Sequence, residues 1–140
     1  MSDNTNVRIS WQEYFAEIAK LVAKRSPCKK LHVGCVIVKD KRIISTGYNG
    51  FLCGAPHISI EVDGHELATV HAEQNCISDC AKRGVSTENA ICFITHYPCI
   101  NCYKVLVAGG IKEIYYLEDY KNNPVVEEIN KNLDIKIVKL

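Results

Sequence analysis

Ala90 to Leu117 reads AICFITHYPCINCYKVLVAGGIKEIYYL, and the order of its parts decides the fold. Ala90 to Thr95 is an apolar run, bounded by polar residues, that predicts a strand. Pro98 suits the first turn of a helix, and the Gly109-Gly110 pair ends it. Lys112 to Leu117 predicts a further strand, Pro124 to Asn132 a helix, and Asp134 to Val138 a last strand. Helices alternating with strands cover both faces of a sheet. The expected class is α/β, a three-layer α/β/α arrangement around a mixed sheet of about five strands.

Upstream of that stretch, Ser10 can cap a helix from Trp11 to about Arg25. Its apolar stripe is Trp11, Tyr14, Phe15, Ile18, Leu21 and Val22, and Pro27 follows its end. Val33 to Lys39 and Ile43 to Tyr48 read as two strands of a hairpin joined by a tight Lys-Asp-Lys turn. Gly50 to Thr69 has no clear period and reads as a long connection, of the kind that tends to carry function. A helix fits His71 to Arg83, with Gly84 as its stop. No repeat, low-complexity tract or linker interrupts the chain, so residues 1–140 are expected to form a single domain.

The composition narrows the function. Of 140 residues, 47% are hydrophobic, enough for one buried core. Basic and acidic residues number 17 and 16. A protein that grips a nucleic-acid backbone usually carries a basic excess on one face, so a small-molecule substrate is expected over a polymer. The longest apolar runs, Val33 to Val38 and Val105 to Ile111, fall far short of the roughly 18 residues of a membrane span. Met1 to Asn6 is polar and lacks the apolar segment of a secretory signal. The expectation is a soluble, cytoplasmic protein whose eight cysteines are thiols and metal ligands rather than disulfides. Cys35, Cys76, Cys80 and Cys92 lie in apolar surroundings and are expected to pack as small hydrophobes.

Two short motifs carry chemistry: His71-Ala72-Glu73 and Pro98-Cys99-Ile100-Asn101-Cys102, each at the start of an expected helix. Cysteines three apart on a helical turn point the same way and can reach one ion. One imidazole and two thiolates give zinc three protein ligands and leave a fourth position for water, as in a catalytic site. Glu73, two residues from His71, faces another direction and is not expected to be a fourth ligand. It can instead stand beside the water and move protons as a general base and acid. His-x-Glu followed by Pro-Cys-x-x-Cys is a known signature of zinc deaminases. A structural zinc module without catalysis is the alternative from another class, and it needs neither Glu73 nor an open metal position.

Taken with Val33-Gly34-Cys35-Val36-Ile37-Val38 and Gly47-Tyr48-Asn49-Gly50, these motifs resemble the deoxycytidylate (dCMP) deaminase family, within the cytidine deaminase-like superfamily. The likeness runs from about Trp11 to Leu117. It implies a cytidine deaminase-like fold and zinc-dependent hydrolysis of dCMP to dUMP and ammonia, feeding thymidylate synthesis. It also implies that Asn49 contacts the sugar hydroxyl, that the Ala72 backbone helps hold the base, and that Tyr120 lies near the base. Family members commonly form homo-oligomers, often hexamers, and many respond to dCTP and dTTP. Some carry a second zinc, for which Cys28, Cys53, His57 and His65 are the candidates here. Phosphate contacts stay unassigned, so dCTP or dual dCMP/dCTP deamination remains a rival. Editing of tRNA or single-stranded nucleic acid is a more distant one.

Overall fold

The computed structural model describes residues 7–140. The polar Met1–Asn6 segment, read above as lacking a secretory signal, lies outside them. Elements follow in the order α1 (Trp11–Ala23), β1 (Gly34–Lys39), β2 (Arg42–Tyr48), β3 (Gly50–Phe51), β4 (Glu61–Val62), β5 (His65–Glu66), β6 (Thr69–Val70), α2 (Ala72–Arg83), β7 (Ile91–His96), α3 (Ile100–Ala108), β8 (Glu113–Glu118), α4 (Pro124–Asn130) and β9 (Lys136–Lys139). The main sheet has five strands in the order β2-β1-β7-β8-β9. β1 pairs antiparallel with both β2 and β7, while β7, β8 and β9 run parallel. The hairpin pairs antiparallel and the strands separated by α3 and α4 pair parallel, so the sheet is mixed.

Alternation along β1 assigns the layers. Val36 and Val38 pack with Phe15 and Ala19 of α1 and with Phe93 and Tyr115, forming one face of the core. Cys35 and Ile37 point the other way, into a cluster with Ala72 and Cys76 of α2, Tyr103 and Leu106 of α3, and Val126 of α4. Side chains two apart on a strand share a face, so β1 is apolar on both. α1 therefore covers one side of the sheet and α2, α3 and α4 the other. Cys35, Cys76, Cys80 and Cys92 are all buried and reduced, with Cys35 Sγ 3.5 Å from Cys92 Sγ. They pack as core side chains.

The hairpin turn closes through Asp40 and Lys41, both with positive φ (52° and 60°), the two-residue geometry whose twist suits flanking strands. Ser10 accepts the Glu13 N–H at 3.0 Å and caps α1. Gly84 ends α2 in the left-handed region.

Several boundaries differ from expectation. α1 stops at Ala23 rather than about Arg25, α4 at Asn130 rather than Asn132, and β9 spans Lys136–Lys139. The segment from Gly50 to Thr69 is not a plain loop. β3 pairs with β6, and β4 with β5, in two small antiparallel ladders. Two-residue strands are held by their partners and leave no period to read. The Glu66 carboxylate fastens the segment by accepting N–H groups from Ile60, Ala68 and Thr69 at 2.6–2.7 Å.

Gly47 lets α2 lie close to β2. A Cβ there would meet Ala72 O at 2.6 Å and Cys76 N at 2.8 Å, both backbone atoms of the helix region that begins the candidate site. Gly47→Ala is therefore expected to push α2 outward and destabilise the chain by roughly 1–3 kcal/mol, the cost of overpacking. A thermal melt with an unchanged midpoint would show that α2 does not need this close approach.

Candidate active site

The helices α2 and α3 begin side by side at one end of the sheet. His71 is the N-cap of α2 and Cys99 the N-cap of α3. Both were expected inside their helices, so each stands one position earlier than its motif suggested, and Pro98 precedes the cap. Extended backbone at these caps (ψ 154° and 165°) turns both side chains toward the space between the helix ends. His71 N–H donates to Gln74 Oε1 at 2.9 Å, which fixes the entry into α2.

His71, Cys99 and Cys102 converge, with all their ligand atoms within 4.8 Å of one another. His71 Nδ1 is 3.2 Å from Cys102 Sγ and 3.6 Å from Cys99 Sγ. Tetrahedral zinc with ordinary Zn–N and Zn–S lengths places such donors about 3.5 Å apart. The three groups fit one zinc ion, with Nδ1 as the imidazole donor. Among the described residues this is the one cluster of three or more potential ligands.

Of the three groups, Cys99 already favours the deprotonated form that a cation needs. A hydrogen bond from Cys102, with help from His71, holds the Cys99 thiol down at about 4. Its partner Cys102 is pushed up, chiefly by that same contact with Cys99 and then by burial. The pair thus shares one proton, which a metal ion must displace to take both sulfurs. Contact with Cys99 also raises His71. Glu73 is 4% exposed. Burial pushes its carboxyl up from 4.5 to about 7, opposed by a hydrogen bond from its own backbone N–H. A dication in the cluster would favour the ionised form.

A cavity opens in front of the cluster. It is lined by Leu31, Val33, Asn49, Thr69, His71, Ala72, Glu73, His96, Tyr97, Cys99 and Tyr120. Of the residues expected to serve the catalytic zinc, the proton transfer or the substrate, His71, Glu73, Cys99, Asn49, Ala72 and Tyr120 line this cavity, and Cys102 is buried and does not. Ala72 is fully buried at the start of α2. Tyr120, 40% exposed, sits on a loop after β8 whose shape comes from Asn122: its Oδ1 accepts the Tyr120 N–H and its Nδ2 donates to Asp119.

Asn49 does more structural work than expected. Its Oδ1 accepts the Val33 N–H and its Nδ2 donates to Leu31 O, both at 2.8 Å. The amide thus holds the segment before β1 as a wall of the cavity, keeping one lone pair and one N–H for a ligand. Asn49→Ala is expected to cost about 1–3 kcal/mol in denaturant unfolding, because two backbone groups lose their partner. Unchanged stability would leave Asn49 with no such structural role.

The candidate second metal set does not form. No three of Cys28, Cys53, His57 and His65 come within ligand distance among the described residues. Cys28 Sγ instead donates to Asn49 O, Cys53 is exposed, and His57 stacks on Phe51 at 5.2 Å. Four suitable residues in one region of sequence do not converge unless the chain folds them together. The lining residues missed from sequence are Leu31, Val33, Thr69, His96 and Tyr97. Only His96 and Tyr97 carried a signal, lying between a strand and the Pro98-Cys99 motif.

A three-layer α/β fold with an imidazole and two thiolates at paired helix starts, beside a buried carboxylate, defines the zinc-dependent deaminases that act on bases and nucleotides. The chain belongs to the cytidine and deoxycytidylate deaminase family, whose zinc-binding region matches residues 9–118. It is 45% identical over 134 residues to ComE operon protein 2 of Bacillus subtilis, covering 93% of this chain and 71% of that one. It is 35% identical to the deoxycytidylate deaminase of Saccharomyces cerevisiae, covering 94% of this chain but only 45% of the yeast enzyme. The dCMP deaminase of cyanophage S-TIM5, solved in complex with dCMP and dUMP, superposes with a TM-score of 0.85 at 28% identity, covering 96% of this chain and all of that one. The zinc requirement and the fold class are family properties of this chain.

Proposed function

We propose that this chain hydrolyses dCMP to dUMP and ammonia, with His71, Cys99 and Cys102 as the zinc ligands and Glu73 as the proton carrier. The observation that carries the reading is the convergence of those three donors beside a cavity that is also lined by Glu73. The phage enzyme that binds dCMP and dUMP shares this fold over nearly the whole chain.

Zinc, when bound, acidifies a water molecule toward neutrality and so supplies the nucleophile. The remaining steps belong to the protein. Glu73 takes a proton from that water and passes it to N3 of the pyrimidine, which makes C4 electrophilic. The new C4–O bond forms as the water adds. Glu73 then carries the second water proton to the amino nitrogen, the C4–N bond breaks, and ammonia leaves. Burial raises the Glu73 carboxyl while a dication in the cluster would favour its ionised form, and these opposed effects suit it to accept and return protons. Ala72, Asn49 and Tyr120 line the cavity, and in this reading Ala72 helps hold the base, Asn49 contacts the sugar hydroxyl and Tyr120 lies near the base.

Among the described residues the cavity lining contains no lysine or arginine. Ammonia release should be measured with dCMP, dCTP, deoxycytidine and cytosine, with and without dCTP and dTTP as effectors. Fastest turnover of dCMP supports the reading; faster turnover of dCTP or free cytosine overturns it. The proposal extends to a single domain, to a homo-oligomer with a hexamer favoured, and to control by dCTP and dTTP. Family membership supports the last two. No described helix is long and apolar enough to cross a membrane, and a cytoplasmic location is part of the same proposal. A net charge of +1 speaks against a nucleic-acid substrate.

A further inference from the structure

One polar side chain of the cavity has no part in the mechanism above. His96 ends β7 and lines the cavity with its side chain 13% exposed. Its Nδ1 lies 2.7 Å from Thr95 Oγ1. That oxygen already accepts the Gly34 N–H at 3.1 Å. Thr95 is buried, so its hydroxyl proton needs an acceptor, and Nδ1 is within reach. This places the ring proton on Nε2. The carboxylate facing Nε2, Glu118 Oε2, stands 3.8 Å away, too far for a hydrogen bond, on a side chain that is 70% exposed. Tyr120 meets the imidazole edge-on at 5.9 Å and an angle of 81°, which fixes the ring from another side. Burial also favours the neutral imidazole. Among the described residues the Nε2–H has no hydrogen-bond partner, and because His96 lines the cavity that donor is available to an occupant.

The edge of the substrate it meets follows from the proposed reaction, on which this inference rests. In a pyrimidine, N3 and C5 flank C4 on opposite sides. The metal cluster faces C4, and Glu73, on α2, serves N3. C5 is then turned away from α2, toward the end of β7, where His96 and the following Tyr97 line the cavity. We infer that His96 is a specificity-determining residue that reads the C5 position of the pyrimidine, its Nε2–H favouring a hydrogen-bond-accepting substituent such as hydroxymethyl over an apolar one such as methyl.

The test compares 5-hydroxymethyl-dCMP with 5-methyl-dCMP, alongside dCMP, in the zinc-loaded wild type and in His96→Leu, His96→Phe and His96→Gln. The kcat/KM values are read together with calorimetric binding of the matching uracil products. One neutral hydrogen bond predicts a preference for hydroxymethyl of about three- to tenfold in both readouts. Leu and Phe are expected to erase or reverse that ratio, and Gln, which keeps an N–H donor, to retain part of it. The same ratio in wild type and in whichever apolar variant folds overturns the inference, as does a wild-type ratio favouring methyl. Wild type that releases no ammonia from dCMP overturns the proposed function itself, a result distinct from an unchanged ratio in an active enzyme.

Discussion

Glu73→Gln is expected to keep its zinc and to slow dCMP deamination by about 10²–10⁴-fold, the usual contribution of a positioned general acid–base. The amide matches the carboxyl in shape, so packing at this 4%-exposed position survives. It cannot accept the water proton or return it to N3 and the leaving amine. A second consequence separates this role from a structural one. Burial raises the folded-state carboxyl from 4.5 to about 7. A raised acid leaves the fold fully stable below 4.5, and that stability is lost as pH climbs through 7. In the metal-free protein the shift corresponds to a cost on the order of 3 kcal/mol above pH 7. Glu73→Gln removes it, so the metal-free variant should melt above wild type at pH 8 and level with it near pH 4. A variant that is both slow and less stable at pH 8 would mean that Glu73 holds the fold together.

Cys102→Ser has the other large effect. Its sulfur is buried and 3.2 Å from His71 Nδ1, and it donates the hydrogen bond that keeps Cys99 ionised. A hydroxyl is a harder and far less acidic donor, poorly suited to zinc beside an imidazole and a thiolate. Loss of an outer-shell partner alone weakens metal binding about 10–100-fold, so loss of this ligand should cost more than that and abolish turnover at ordinary zinc concentrations. Metal analysis of the wild type should find one zinc per chain, unchanged by Cys28→Ser and lost in Cys102→Ser. Two zinc ions in wild type would restore the second site that Cys28, Cys53, His57 and His65 do not form here.

Much of this was readable along the chain because it is local. Val33 to Lys39 was legible as a strand from its apolar run, and Pro98 and Gly109-Gly110 bracket α3. The convergence of His71, Cys99 and Cys102 was legible because a helix start fixes where its first side chains point. What was hidden depends on distant partners. β3 and β6 exist only because Gly50 meets Val70 across a gap in sequence. Asn49 was read as a substrate contact, yet its amide is engaged by Leu31 and Val33. His96 gains a defined proton only through Thr95 and, beyond it, Gly34.

X-ray absorption at the zinc edge of the loaded protein probes the coordination sphere directly. Two sulfurs, one imidazole nitrogen and one exchangeable oxygen are expected, the oxygen replaced when a dCMP analogue carrying a hydroxyl at C4 is added. Four protein donors with no exchangeable oxygen, or fewer than two sulfurs, would contradict the account.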